Sequence, residues 1–260
     1  LALGLRKLGV YRGRVVVDAD DWEGDGGWNV LLGRPGALRW LVARQERWCL
    51  RHADAVTVAS RTLQSLVWSL GGPPERVTYL PNGCEAPLRG DGLAARQRHA
   101  LDNTPVILLY TRFFEFDEAR PLEVLDRILR QRPDARLLVV GAALDLRQDQ
   151  RFDRLVGERL LTERVVRTGW LPMEALGDYL AAADVALYPF DDTLINRCKC
   201  AVKLVDLLAA GVPVVADNVG QNSEYIVSGE SGVLVTANDT AAMADAALDI
   251  LRREDRRQLG

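Results

Sequence analysis

The sequence predicts an α/β protein of doubly wound parallel sheets, one complete in the carboxy-terminal part and one partial before it. Three observations carry that prediction. Short Val-rich apolar runs, such as VALY at 185–188 and VPVVA at 212–216, suit strands covered on both faces. Stretches with apolar residues at helical spacing lie between such runs. From Val106 onward the two kinds of segment alternate regularly, as successive β-α-β units do.

The elements follow in order. RVVVD at 14–18 reads as a strand, and 37–52 as an amphipathic helix carrying Leu38, Trp40, Leu41, Trp48 and Leu50. A second strand at 55–59, a helix at 61–71 closed by Gly71 and Gly72, and a third strand at 76–80 complete the first part, 1–88. The polar, Gly-rich run LRGDGLAARQRH suits a linker over 89–104. The second part, 105–260, has strands near 106–110, 136–140, 164–168, 185–188, 213–216 and 232–235. Its helices fall near 119–131, 149–160, 173–182, 200–209, 222–228 and 239–253. Six strands with intervening helices make a complete Rossmann-like domain, whereas three strands make only part of one.

With 260 residues and 48% apolar content the chain can bury a substantial core. No apolar run approaches the length that crosses a bilayer, and the first residues lack the apolar stretch of a signal peptide. Four cysteines, Cys49, Cys84, Cys198 and Cys200, and two distant histidines give no zinc pattern, so they read as reduced thiols of a cytoplasmic protein. The net charge is −3 and uneven, with 14 basic and 10 acidic side chains in residues 1–100. That mildly basic part suits an ordinary solvated face first, and only second peripheral contact with an anionic inner membrane surface or a phosphorylated acceptor. No basic stripe of the kind that binds nucleic acid is present.

Chemistry concentrates between the strands at 185–188 and 213–216. In an open parallel sheet the loops beyond the strands' carboxyl ends face the ligand crevice. Asp191, Asp192, Thr193, Asn196, Lys199 and Lys203 are therefore candidate ligand contacts. Lys203 opens the helix whose amino end favours an anion, and Asp206 lies three residues on, projecting from the same face. Arg112 follows the first strand of the second part. Near the chain's start, Asp18, Asp20 and Asp21 cluster after a strand, a grouping that suits acceptor hydroxyls, a purely structural role or Mg²⁺. His52 ends a helix, where its charge is favourable to the dipole.

KLVDLLAAGVPVVADNVGQNSEYI (203–226) resembles the donor-binding region of GT-B glycosyltransferases, family 4 in particular. HADAVTVAS (52–60), YLPNG (79–83), LLYTRF (108–113), ARLLVVG (135–141) and RVVRTGWLP (164–172) extend the resemblance over most of the chain. It implies a GT-B fold and transfer of a sugar from a nucleotide-sugar donor to a glycan or lipid-linked acceptor, with retention and without a bound metal or other cofactor. The resemblance makes Arg112 and Lys203 the groups that grip the diphosphate, with Lys199 as an alternative cation because Asp117 stands where the family has a Lys. Asp206 takes the place of the second glutamate of the family's pair and implies a ribose contact; Cys198 stands at the first, where a thiol serves hydroxyls poorly. Asp191, Asp192 or Asn196 then contacts the sugar, while Gly169, Trp170 and Leu171 flank the base. The aspartates Asp18, Asp20 and Asp21 fall on the acceptor side. An amino-terminal domain of the family begins well upstream, so the chain is expected to be a fragment whose own transfer activity is weak. The alternatives are a non-catalytic nucleotide-sugar-binding subunit and a GT-B nucleotide-sugar epimerase.

Overall fold

The structure is a computed structural model describing residues 2–84, 88–101 and 103–253. It divides into two compact units, Leu1–Asn82 with Asp192–Ala201, and Gly83–Asp191 with Val202–Gly260.

The first unit runs α1 (Ala2–Lys7), β1 (Val16–Ala19), α2 (Trp28–Leu31), α3 (Gly36–His52), β2 (Ala55–Val58), α4 (Arg61–Ser69) and β3 (Val77–Tyr79). Its strands form a parallel sheet in the order β1-β2-β3, with Val16 opposite Ala55 and Val58 opposite Tyr79. Leu63 and Val67, one turn apart on α4, pack with Leu50, Val56, Val58 and Trp22 as the core. α4 starts at Ser60, whose hydroxyl accepts the Leu63 N–H at 3.1 Å, and closes at Gly71, which takes φ +87°. Residues 192–201 return to this unit with the short helix α9 (Leu194–Cys198). They are tied down by Ser60 Oγ donating to the Cys198 carbonyl at 2.6 Å and by the Asn82 N–H donating to Cys200 Sγ at 3.2 Å.

The second unit carries α5 (Gly92–Arg98), β4 (Val106–Tyr110), α6 (Ala119–Leu129), β5 (Arg136–Val140), α7 (Leu146–Glu158), β6 (Val165–Gly169), α8 (Met173–Ala181) and β7 (Val185–Tyr188). After α9 it continues with α10 (Val202–Ala209), β8 (Val214–Asp217), α11 (Asn222–Tyr225), β9 (Gly232–Val235) and α12 (Thr240–Arg252). The six strands are all parallel, in the order β6-β5-β4-β7-β8-β9. Strands added after β4 go to one side and those from β7 onward to the other, so the topological switch point lies between β4 and β7. The nine expected strands are all present, and the fold is two Rossmann-like sheets.

The stretch expected as a linker, 89–104, is different. It holds α5, capped by Asp91 and packed on α8 so closely that a Cβ on Gly92 would lie 2.4 Å from the Ala181 carbonyl oxygen. Its polar composition misleads because Arg96 is buried, donating to the Ala182 carbonyl and to Asp184, each within 2.9 Å. α1, α2 and α9 also escape the periodicity reading, being too short to display an apolar stripe.

Candidate functional site

The crevice opens where the β4–β7 ladder stops. Only Ile107–Val185 and Leu108–Ala186 pair across it, against five residue pairs between β4 and β5. The strands part beyond Leu108, and Tyr110, Thr111, Glu115, Tyr188, Phe190 and Lys203 line the gap. Lys203, in the first turn of α10, holds its ammonium 3.3 Å from Oε1 of the buried Glu115 and 5.6 Å from the Phe114 ring centre. Asp206 follows on the same helix. Burial pushes its carboxyl pKa up, and the Lys203 charge opposes that rise. Tyr110 responds to the same surroundings: burial raises its phenol, the Asp206 charge adds to the rise, and Arg112 counters it. Arg112 is exposed, its guanidinium 5.0 Å from the centre of the exposed Trp170 ring. The turn carrying Trp170 begins at Gly169, at φ +66°, and continues into the half-buried Leu171. Arg112, Trp170, Lys203 and Asp206, expected from sequence, thus gather at the carboxyl end of one sheet.

A charged network underlies this crevice. Arg120, buried in the first turn of α6, donates to Asp217 at the end of β8 at 2.6 Å and to Asn238 at 3.3 Å. The other Asp217 oxygen accepts the Phe190 N–H at 2.7 Å, fixing the chain just after β7. Asp191 comes next, 3.6 Å from Arg120, with its pKa raised by burial against the pull of that guanidinium. Its own N–H donates to the Glu115 carbonyl at 2.9 Å.

Other expected residues belong to the first unit. Asp192 forms an ion pair with Arg197, whose hydrogen bond, and to a lesser degree its charge, lowers the Asp192 pKa. Asn196 is buried within α9, and Lys199 places its ammonium 5.1 Å from the Trp28 ring centre. Asp18 accepts from the Thr57 hydroxyl across β1 and β2, and Asp20 accepts from the Asn82 amide at 2.7 Å. Among the described residues no three carboxylate, thiol or imidazole groups converge as metal ligands. Cys198 lies in the first unit's core, and burial pushes its thiol up to about 12. Asp117 pairs with Arg151 at 3.2 Å. His52 stacks on Trp48, with Nδ1 2.8 Å from the Trp48 carbonyl oxygen.

Comparison with known proteins follows the same division. The family profile described as "Glycosyl transferases group 1" matches residues 106–253, and that of the "Glycosyl transferase 4-like domain" matches residues 2–83. The chain belongs to the group 1 glycosyltransferases. It is 29% identical over 232 residues to the GDP-mannose-dependent alpha-(1-6)-phosphatidylinositol monomannoside mannosyltransferase of Mycolicibacterium smegmatis, covering 86% of this chain and 58% of that one. Glycogen synthase of Mycobacterium tuberculosis is 28% identical over 220 residues, covering 83% and 50%. The chain therefore spans between half and three fifths of the length of these relatives. Among solved structures, Anabaena Alr3699/HepE in complex with UDP-glucose superposes with a TM-score of 0.76 at 18% identity, over 98% of this chain and 68% of its own. Sucrose-phosphate synthase of Thermosynechococcus elongatus gives 0.75 at 24% identity, over 98% and 63%. The fold is of the GT-B type that these structures share.

Within this group 1 chain, sequence reading missed Glu115, Arg120 and Asp217. Arg120 sits in ARPLEVLDRIL, where a charged residue in a first turn reads as solvated. The one available signal was Asp217 itself, a carboxylate directly after the buried run VVA, which demands a buried partner.

Proposed function

We propose that this chain binds a nucleoside-diphosphate sugar at the switch-point crevice and transfers the sugar to an acceptor hydroxyl with retention and without a metal. The observation that carries the reading is the pairing of Lys203 and Asp206 in the first two turns of α10, beside the parted ends of β4 and β7. Breaking the glycosidic C–O bond leaves charge on the departing diphosphate. Arg112, Lys203 and the amino end of α10 supply fixed positive potential for it. Glu115 steadies the Lys203 ammonium and so sets its direction. Asp206 accepts from ribose hydroxyls, and the Gly169–Leu171 turn with Trp170 flanks the base. The acceptor attacks on the face the diphosphate leaves, and its proton passes to the leaving oxygen, so no protein base is needed. Asp191 faces the sugar from its tether to Arg120. The acceptor is a glycan or a lipid-linked saccharide.

Calorimetry with UDP and GDP tests the donor site. Lys203→Ala and Arg112→Ala should each weaken binding by about 1.5 to 3 kcal/mol, the worth of a hydrogen bond to a charged group. Binding should persist in EDTA. Unchanged affinity in both variants would refute the diphosphate site. A second reading, a binding subunit without transfer activity, is favoured by Cys198, which is in the first unit's core and contacts no substrate from there. Slow donor hydrolysis by the chain would rule that reading out.

A further inference from the structure

The stretch from α2 into the first half of α3 exposes a run of large apolar side chains. Val30, Leu31, Leu32, Leu38, Trp40 and Leu41 are all exposed, from 41% for Leu38 to 64% for Trp40. Every residue from Val30 to Leu41 is exposed, so these apolar groups form a continuous projecting ridge rather than scattered surface positions. Charge on the ridge has one sign. Between Gly26 and Gln45 there are three arginines, Arg34, Arg39 and Arg44, and no Asp or Glu. The only carboxylate on α3, Glu46, turns inward to accept the Glu23 N–H at 3.0 Å. Past Trp40, whose ring centre is 5.7 Å from the Arg44 guanidinium, the helix continues as an open groove walled by Arg47, Trp48 and Arg51, with Asp25 paired to Arg47.

We propose that this ridge is a membrane-docking surface that inserts its apolar side chains into a bilayer rich in anionic phospholipid. An exposed segment in which Val, Leu and Trp alternate with arginines and no acid intervenes has the composition that settles at the boundary of headgroups and acyl chains. Trp favours that boundary because its ring is apolar and its N–H is polar. The charge identifies the partner. A second copy of the chain would set three arginines against three with no acid between them, whereas anionic headgroups neutralise them over apolar depth. The inference stands apart from the nucleotide site, which lies on the second unit.

The experiment is vesicle co-sedimentation of the full-length protein without nucleotide. Vesicles of phosphatidylcholine alone are compared with vesicles in which about a third of the lipid is phosphatidylglycerol. The protein should pellet with the anionic vesicles and remain in solution with the neutral ones. Arg34→Gln/Arg39→Gln/Arg44→Gln should weaken that partitioning about a hundredfold, the effect of three basic groups at a charged surface. Leu31→Ser/Trp40→Ser should weaken it at high salt as well as low, because it removes insertion rather than charge. If the apolar variant fails to fold, as judged by its melting curve, the arginine variant decides, since its three changes are on exposed groups. Three results would overturn the proposal: no binding of the full-length protein to anionic vesicles, equal binding by the arginine variant, or conversion of a dimer to a monomer by these changes with vesicle binding intact.

Discussion

The two units bury charge by different means. In the second unit the buried carboxylates meet cations: Asp217 meets Arg120 at 2.6 Å, Asp184 meets Arg96 at 2.8 Å, Glu118 meets Arg151 at 2.7 Å and Glu115 meets Lys203 at 3.3 Å. In the first unit the half-buried Glu46 is held mainly by backbone N–H groups of the loop after β1. Burial pushes its pKa to about 7, with Arg47 contributing only a small opposing effect. The difference teaches where each unit is rigid. Buried paired charges fix the loops after β4, β7 and β8, the loops that border the crevice, whereas the loop after β1 combines the exposed Asp25–Arg47 pair with a half-buried carboxyl group, Glu46, whose pKa is pushed up to about 7.

The largest test of this contrast is Asp217→Ala. It takes from the buried Arg120 guanidinium its nearest carboxylate, leaving Asn238 and the more distant Asp191, and breaking a buried pair on one side costs about 3 to 5 kcal/mol. Hydrogen exchange followed peptide by peptide should show lost protection in β7 and β8, with β1 to β3 unchanged. Loss spread equally through both units, or a change under about 1 kcal/mol, would mean that the pair does not anchor the crevice.

Glu46→Gln comes next. A carboxyl whose folded pKa of about 7 exceeds its ordinary value of 4.5 binds its proton more tightly in the folded state. Its contribution is fully present below the ordinary value and is lost as pH rises through the folded value. Between about pH 4.5 and 7 the first unit should therefore lose on the order of 2 kcal/mol, after discounting for partial exposure. In Glu46→Gln that slope should vanish while the amide oxygen still accepts from Glu23. Exchange rates of β1 and β2 amides, corrected for intrinsic pH dependence, report it. An unchanged slope would assign the titration elsewhere.

How legible each unit is in its sequence follows from the same contrast. The strands of the second unit are read directly because VILLY, RLLVV and VALY are apolar throughout, as strands buried on both faces must be. Lys203, Asp206 and Arg112 are legible because their place after a strand or at a helix start dictates which way they point. Arg96, Arg120 and Glu115 were not, since burial of a charge depends on a partner far along the chain: Asp184, Asp217 and Lys203 lie 88, 97 and 88 residues away. The return of residues 192–201 to the first unit was equally hidden. No local pattern shows that a loop following β7 is tied to Ser60 and Asn82.

That return supplies the smallest and most local test. Ser60 is fully buried, and its hydroxyl does two jobs: it accepts the Leu63 N–H that starts α4 and donates to the Cys198 carbonyl. Ser60→Ala removes both, at about 1 to 2 kcal/mol for a lost cap whose partners stay buried. Within the contrast drawn above, this is a tether made from neutral groups, so its loss should be independent of pH and salt. Cys198 offers a direct readout because its thiol is buried, with a pKa of about 12, and reacts only when the segment opens. Peptide-resolved maleimide labelling of Cys198 should quicken roughly tenfold in Ser60→Ala, the factor that corresponds to about 1.4 kcal/mol of easier opening. Labelling of the exposed Cys84 should stay the same and serves as the internal control. Equal Cys198 rates in the two proteins would place the hold on this segment in the packing of α9 against α4, not in the Ser60 hydroxyl.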